Sequence, residues 1–223
     1  MPAASFFKNL SLFVAEGFLN VDSSLSLQAE MKTAAFEKAT VVKDGREGIL
    51  DEKSRKVSAV HVAEDTWSGM RQRLRDLKPR LEEHFGIPLS RKCHGPDFLT
   101  YRPGGFYGPH RDASEGSPEH IRSRRVSVVL FLNSQSKEPS PDTFGGGGLA
   151  FYGLMDGPQW EKLAFTLEPT AGLLVAFRSD VLHEVQPVTF GERHTIVTWF
   201  TAEQEPQPAQ VDSEVPVVSA PLA

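Results

Sequence analysis

His110, Arg111 and Asp112 form the tripeptide of this 223-residue chain that is best suited to bind a metal ion. On an extended strand, residues two apart project to the same face. The imidazole of His110 and the carboxylate of Asp112 can therefore converge on one ion while Arg111 points away. A His-x-Asp tripeptide alone is a weak signal, because it arises often by chance. His183 strengthens it, since this imidazole lies in a second strand-like segment, 181–187, that can approach the first in a closed barrel.

Two imidazoles and one carboxylate on one face of an octahedral ion leave three coordination positions open, as is typical of iron(II) oxygenases. A bidentate 2-oxo acid would fill two positions and dioxygen the third. Arg193 follows His183 by ten residues, beyond a turn that contains Gly191. Its planar guanidinium can bind the far carboxylate of such an acid. A surface arginine after a turn is the alternative.

Helices are predicted in the first part of the chain and strands in the second. Capping candidates at Asp22 to Ser24 predict a helix that runs to Lys38. Apolar residues at spacings of three and four from Trp67 to Phe85 predict an amphipathic helix, and Pro79 predicts a kink or two consecutive helices. Short apolar runs after Gly86 predict antiparallel strands that close as a sandwich or barrel. These runs are 98–101, 126–132, 149–152, 163–167, 173–177 and 195–200.

Three further segments lack such patterns. Ala113–Ser123 and Ser134–Gly148, the latter with four consecutive glycines from Gly145, are predicted to be mobile loops. The tail 203–223 is rich in Pro, Gln, Val and Ala without a helical period, and we expect it to be disordered.

The amino-acid composition argues against nucleic acid and membranes as binding partners. The formal charge is -5, from 29 acidic and 24 basic residues, so nucleic acid is not expected as a partner. The longest apolar stretches are shorter than the roughly 18 residues of a membrane span, so no membrane partner is expected. Cys93 is the single cysteine, which rules out an internal disulfide and is compatible with a reducing compartment. We expect a cytoplasmic protein.

The residues resemble the prolyl 4-hydroxylase-like branch of the 2-oxoglutarate and iron(II) dependent dioxygenases over about residues 95–201. The segment from Tyr101 to Asp112 fits the family pattern of Tyr, Gly, Tyr and His at three-residue intervals, followed by Asp. The segments that resemble the following family strands are 124–133, 146–151 and 183–199. The resemblance implies an α+β, mainly β fold, a double-stranded β-helix or jelly roll with supporting N-terminal helices. Residues 1–202 would form one domain, with helical support over about 1–92 and the β-helix core over about 93–202.

The resemblance also implies a role for each matched residue. His110, Asp112 and His183 would be the iron ligands and catalytic residues, and Arg193 would bind the distal carboxylate of 2-oxoglutarate. Tyr101 would form a hydrogen-bonding wall of the same pocket. Ser127 is the one hydroxyl of its strand and a candidate second donor to the co-substrate. Two aromatic residues, Tyr107 and Trp199, would line the substrate pocket near the metal, with core packing as their alternative role.

The implied reaction is the hydroxylation of a C–H bond with Fe(II), 2-oxoglutarate and O2, release of succinate and CO2, and ascorbate as a candidate reductant. We expect a prolyl residue in a peptide or protein as substrate, with a free amino acid or other small molecule as the alternative. A nucleic-acid demethylase is disfavoured by the acidic composition. The alternative from another class is a non-catalytic jelly-roll binding module, which would not need the two histidines, the aspartate and the arginine in register.

Overall fold

Two antiparallel sheets face each other in the computed structural model, which describes residues 4–43, 45–155, 157 and 163–203. Across the larger sheet, the strands are β1 Phe13–Ala15, β14 Leu174–Arg178, β9 Arg124–Phe131, β17 Arg193–Ala202, β7 Leu89–Tyr101, β6 Ser58–Val60 and β2 Phe36–Lys38. Across the second sheet, the strands are β13 Ala164–Leu167, β12 Leu149–Tyr152, β15 Leu182–Val185, β8 Phe106–His110 and β5 Arg55–Lys56. The predicted mainly β jelly roll is confirmed.

Shorter elements join the edges of these sheets. β10 Ser134–Gln135, β11 Thr143–Gly146 and β16 Val188–Phe190 form one small sheet, and β3 Val41–Lys43 and β4 Arg46–Ile49 form a hairpin. The helices of the described residues are α1 Ala4–Asn9, α2 Val21–Thr33, α3 Glu64–Arg75, α4 Lys78–Phe85 and α5 Glu119–Arg122. None of these helices has the length and apolar character that a bilayer span requires.

Each central strand of the larger sheet contributes to two apolar cores. Along β9, Val128 and Leu130 face the core shared with the helices, whereas Val129 and Phe131 face the second sheet. This alternation follows from the strand period of two. One face of β9 thus lines the space between the two sheets, and its opposite face packs on the helices.

The predicted amphipathic helix is two helices that share one buried stripe. Met70 and Leu74 of α3 and Leu81 of α4 pack into the core on the outer face of the larger sheet. Pro79 lies in the first turn of α4, where its missing N–H costs no helical hydrogen bond. Gly86 ends α4 in the left-handed conformation, with φ of 67°.

The first part of the chain is less helical than expected. The helix predicted from Asp22 to Lys38 ends at Thr33, and Phe36–Lys38 form β2, which pairs with β6. Residues 13–60 supply further short strands, including β5 at the edge of the second sheet. Pairing with a sheet edge overrides the local helical preference of residues such as Glu37 and Lys38.

The two segments predicted to be loops contain regular structure. Residues 113–123 include α5, whose Ile121 is buried, and residues 134–148 include β10 and β11. The four consecutive glycines of the second segment are packed against neighbouring side chains and backbone. A Cβ added at Gly146 would lie 2.3 Å from the carbonyl oxygen of Pro187. The predicted disordered tail lies almost entirely outside the described residues, since 204–223 are not among them.

Candidate metal centre and co-substrate pocket

His110 and His183 are direct cross-strand partners. β8 and β15 pair in an antiparallel ladder in which His183 lies opposite His110, and their ring centroids are 4.2 Å apart. Opposed residues on one face of an antiparallel pair bring their side chains into contact. Strand register therefore joins two histidines that are far apart in sequence.

Asp112 completes the cluster from outside the strand. β8 ends at His110, so the carboxylate converges through the bend that follows rather than through the pleat of one continuous strand. Its Oδ1 lies 3.6 Å from Nε2 of His110, and its Oδ2 lies 3.6 Å from Nε2 of His183. One ligand atom from each of the three residues lies within 4.8 Å of the others. The sequence-based expectation of convergence thus holds, but the strand geometry behind it was wrong for Asp112.

Both imidazoles are oriented by main-chain carbonyls. The Nδ1 of His110 lies 2.9 Å from the carbonyl oxygen of Gly108, and the Nδ1 of His183 lies 2.9 Å from that of Val181. A neutral imidazole that donates its Nδ1–H to such a carbonyl leaves the Nε2 lone pair free for a metal. Two imidazole nitrogens and one carboxylate fit the donor set of an iron(II) site.

The protonation states suit metal binding. Burial lowers the pKa of His183 to about 4, and the nearby His110 acts in the same direction. For Asp112, burial alone would raise the pKa, but His183, His110 and the hydroxyl of Ser127 hold it well below its usual range. Near neutral pH, His183 is therefore a neutral imidazole and Asp112 a carboxylate, which are the forms that bind a cation.

Aromatic rings fix the cluster on two sides. Tyr107 stacks on His110 with ring centroids 3.5 Å apart and an interplanar angle of 15°. Phe177 contacts His183 edge-on at 4.7 Å. Burial raises the pKa of Tyr107 to about 12, so its phenol is neutral beside the cluster. Tyr107 was predicted to line the site, and the stacking puts it in contact with a candidate ligand.

Arg193 is the first residue of β17 and is buried between the sheets, with 1% of its surface exposed. Its Nε and Nη2 have no hydrogen-bond partner among the described residues, and Nη1 lies 3.4 Å from Oγ1 of Thr195. Burial lowers the pKa of Arg193 to about 10, which leaves it charged at neutral pH. A buried, charged and largely unpartnered guanidinium is costly unless a carboxylate joins it, so the site fits the distal end of 2-oxoglutarate.

One cavity connects Arg193 to the metal ligands. His110, Asp112 and His183 line it together with Arg193, Tyr101 and Trp199. The ring of Tyr101 lies 4.9 Å from the Arg193 guanidinium carbon and lines the same cavity. The metal-ligand cluster and the unpartnered guanidinium of Arg193 thus line the same cavity.

The hydroxyl next to Arg193 belongs to Thr195 and not to Ser127, which was the candidate second donor to the co-substrate. The Ser127 hydroxyl lies 2.9 Å from Oγ of Ser179 and also bonds to the Asp112 carboxylate, so it contacts the metal cluster rather than Arg193. Thr195 is the hydroxyl next to Arg193, and it was missed. The available signal was its spacing, since residues two apart on a strand share a face.

The other histidines lie outside the cluster. His194 points to the opposite face of β17, where it is buried and its Nδ1 lies 3.0 Å from Oγ1 of Thr100, as expected from the strand period. His61 and His120 are exposed, and His84 packs edge-on against Phe13. His94 is half-buried and contacts Arg124.

Comparison with known proteins gives one family match. The family model described as 2OG-Fe(II) oxygenase superfamily matches residues 96–201. A PKHD-type hydroxylase of Maricaulis maris is 35% identical over 124 residues, 55% of this chain and 49% of that protein. A PKHD-type hydroxylase of Teredinibacter turnerae is 36% identical over 114 residues, 50% of this chain and 45% of that protein. The chain thus spans about half the length of the curated relatives it matches.

Solved structures share the fold over most of the chain. The crystal structure of a Pseudomonas putida prolyl-4-hydroxylase covers 90% of this chain and 97% of its own, with a TM-score of 0.60 and 24% identity. A Trichoplax adhaerens prolyl hydroxylase was solved in complex with a hypoxia inducible factor oxygen degradation domain peptide fragment. It covers 89% of this chain and 86% of its own, with a TM-score of 0.67 and 17% identity. At these identities the likeness establishes the fold.

Proposed function

We propose that this chain, whose residues 96–201 match the 2OG-Fe(II) oxygenase superfamily model, is a member of that superfamily and a dioxygenase that hydroxylates a C–H bond, that of a prolyl residue in a peptide or protein. The observation that carries the proposal is the shared cavity of the His110, Asp112 and His183 cluster and the unpartnered guanidinium of Arg193. The cluster can hold the iron(II) ion that the 2-oxo acid end of 2-oxoglutarate would chelate, and Arg193 can bind the distal carboxylate.

In this proposal the protein binds and orients iron(II) and 2-oxoglutarate, and it excludes water from the cavity. His110, Asp112 and His183 would hold iron(II). When bound, iron(II) and 2-oxoglutarate supply an oxidation that inserts one oxygen atom of O2 into a C–H bond and releases succinate and CO2. Arg193 would bind the distal carboxylate of the co-substrate, with Tyr101 as the adjacent wall and Thr195, rather than Ser127, as the hydroxyl donor. Buried apolar side chains such as Phe131 and Leu149 keep the cavity dry, which strengthens these polar contacts.

The peptide-substrate proposal rests on the open groove outside the metal cluster. Tyr107 and Trp199 line this groove beside His110 and Asp112, and an extended peptide could lie along it with its prolyl ring against the two aromatic rings. Two peripheral segments meet over the groove, since Nε2 of His120 on α5 lies 3.6 Å from Oε2 of Glu47 on β4. The names of the relatives, PKHD-type hydroxylase and prolyl-4-hydroxylase, support a prolyl unit as substrate.

Three further parts of the proposal concern the whole protein. Residues 1–202 would act as one catalytic domain, because the helices and the larger sheet share one apolar core. A cytoplasmic location is proposed from the single cysteine, Cys93, which is buried and free. Ascorbate would keep the iron reduced between turnovers.

A free amino acid or other small molecule is the alternative substrate, and a non-catalytic jelly roll is the alternative outside catalysis. The catalytic proposal is tested first by anaerobic addition of iron(II) and 2-oxoglutarate, with the visible charge-transfer band as readout. Wild-type protein should develop the band and Asp112→Ala should not. A wild-type protein that binds neither iron(II) nor 2-oxoglutarate would favour the non-catalytic module.

The substrate is tested by mass spectrometry. Cell-extract proteins and a panel of free amino acids are incubated separately with enzyme, iron(II), 2-oxoglutarate and ascorbate, with the Asp112→Ala protein as background. We expect the mass gain of one oxygen atom on peptidyl proline. Oxidation confined to free amino acids would reject the peptide substrate and retain the dioxygenase.

A further inference from the structure

Two arginines lie on the groove side of the metal cluster: Arg55 packs on the ring that stacks on His110, and Arg124 contacts the main chain of Asp112. The guanidinium carbon of Arg55 lies 4.7 Å from the ring centroid of Tyr107, the ring that stacks on His110. The guanidinium carbon of Arg124 lies 3.9 Å from the ring centroid of Trp199, and its Nη1 donates to the main-chain oxygen of Asp112 at 3.4 Å. Both side chains line the groove that leads to the cluster.

Neither arginine has a carboxylate partner within 4.0 Å in the part of the chain that the structure describes. The Nη1 of Arg55 donates to the carbonyl oxygen of Thr40 at 2.7 Å, and its Nε is buried without a partner. The Nε of Arg124 donates to Nδ1 of His94 at 3.4 Å, and burial lowers the pKa of this guanidinium. Guanidiniums held against aromatic rings with unused donors favour a planar anion.

Asp97 is the acidic group that faces both guanidiniums across the groove. Its carboxylate interacts electrostatically with Arg55 and Arg124, and burial raises its pKa. It forms a close ion pair with neither of them among the described residues, and all three side chains line the groove. Asp112 also interacts electrostatically with Arg124, but its carboxylate oxygens lie 3.6 Å from Nε2 of His110 and of His183, so the unused guanidinium donors of Arg55 and Arg124 remain for an anion in the groove.

We propose that Arg55 and Arg124 form a second carboxylate site, distinct from Arg193, that receives a carboxylate carried by the substrate close to the carbon that is oxidised. Arg193 lines the inner cavity and Arg124 lines the outer groove, while Arg55 lines both, so the second site adjoins the inner cavity on the groove side of the metal cluster. The inference rests on the proposed dioxygenase function and adds a chemical requirement on its substrate.

Two substrates can supply this carboxylate. One is the α-carboxylate of a free amino acid such as proline, and the other is an acidic side chain next to a prolyl residue in a peptide. The contribution of Asp97 to binding distinguishes a free amino acid from an acidic peptide. A free amino acid brings an ammonium group that can pair with Asp97, whereas a peptide brings an amide N–H that needs only a hydrogen-bond acceptor.

The test compares matched probes that differ only in the carboxylate. L-proline is compared with L-prolinamide, and a peptide with blocked termini that contains Pro-Asp is compared with the same peptide containing Pro-Asn. Binding is measured anaerobically by calorimetry on protein loaded with iron(II) and 2-oxoglutarate, and turnover is measured as succinate released. We expect the carboxylate member of one pair to bind at least about tenfold more tightly.

Arg55→Gln and Arg124→Gln should each remove most of this preference by raising KM for the carboxylate probe, and Arg124→Gln, which lies outside the inner cavity, should leave half-saturation for 2-oxoglutarate unchanged. Lys56→Gln and Arg125→Gln, exposed neighbours on the same strands, are the matched controls and should keep the preference. Asp97→Asn should weaken binding of L-proline more than binding of the acidic peptide.

Equal binding of both members of both pairs, absence of binding by every carboxylate probe, or an unchanged preference in the two arginine variants would each overturn the proposal. The proposed dioxygenase function fails separately, because its failure is the absence of the charge-transfer band before any substrate is added. A normal band without a carboxylate preference rejects the second site alone.

Discussion

Gly147 lies directly against the side chain of Arg193. A Cβ added at Gly147 would be 3.1 Å from Cδ of Arg193 and 3.0 Å from Cγ2 of Val188, and the backbone of Gly147 has φ of 60°. A glycine-rich segment that reads as flexible in sequence is thus a packed surface against which the candidate co-substrate arginine is held.

Gly147→Ala should therefore lower both stability and affinity for 2-oxoglutarate. A non-glycine residue at positive φ costs about 1–2 kcal/mol, and the new methyl group must also displace Arg193 or Val188. Thermal unfolding and 2-oxoglutarate titration give the two readouts. Gly153→Ala is the control, because Gly153 has φ of 65° with nothing within 4 Å of an added Cβ. If both variants lost co-substrate affinity equally, contact with Arg193 would not be the cause.

Arg193→Ala should raise the 2-oxoglutarate requirement much more than it weakens iron binding. Loss of one partner of a buried charged pair typically costs about 2–5 kcal/mol, a shift of roughly 30-fold or more in half-saturation. Arg193→Lys should recover part of the loss, since an ammonium can pair with a carboxylate but not in the bidentate manner. Unchanged half-saturation in Arg193→Ala would move the carboxylate anchor elsewhere.

Asp112→Ala should abolish 2-oxoglutarate turnover and weaken iron(II) binding, because it removes the anionic member of the cluster. His183→Ala should act likewise. Asp142→Ala is the control, since Asp142 is exposed and makes an ion pair with Lys32 at 3.9 Å. Iron titration and succinate release are the measurements. Retention of wild-type values in either cluster variant would disprove that residue as a ligand.

Local spacing made the metal cluster and Arg193 candidates, and the resemblance to a known family over residues 95–201 assigned their roles. The approach of Asp112 could not be predicted in detail, because the end of β8 is set by pairing with β15 and not by residues 110–112 themselves. Thr195 was missed for a similar reason, because its proximity to the Arg193 guanidinium depends on which face of β17 the two side chains share.

The residues of the outer groove could not be predicted from the sequence. Arg55 lies in a two-residue strand at a sheet edge, in a region with no strong apolar period. It reaches the site only because β5 pairs with β8, which puts Arg55 opposite Tyr107. Arg124 stands beside other arginines in the sequence, Arg122 and Arg125, and only the strand alternation of β9 separates the half-buried Arg124 from the exposed Arg125.

Thr195→Val should raise half-saturation for 2-oxoglutarate by about 2- to 12-fold, the range expected for one hydrogen bond of about 0.5–1.5 kcal/mol. Valine keeps the shape of threonine and removes the hydroxyl that lies 3.4 Å from Nη1 of Arg193. Thr195→Ser should restore affinity. Ser127→Ala should leave 2-oxoglutarate affinity near wild type, because its hydroxyl contacts Ser179 and Asp112. A larger loss of 2-oxoglutarate affinity in Ser127→Ala than in Thr195→Val would instead identify Ser127 as the hydroxyl donor.

His194 should make the folded state sensitive to acid. Burial lowers its pKa from 6.5 to about 4, and its Nε2 has no hydrogen-bond partner among the described residues. The unfolded chain therefore binds more protons than the folded chain between these two values. The stabilisation is complete above pH 6.5 and is lost as the pH falls towards 4, by up to about 3 kcal/mol. Urea unfolding at pH 7 and pH 4.5 should show a smaller loss in His194→Gln than in wild type. Equal losses in the two proteins would show that His194 does not contribute to the acid sensitivity.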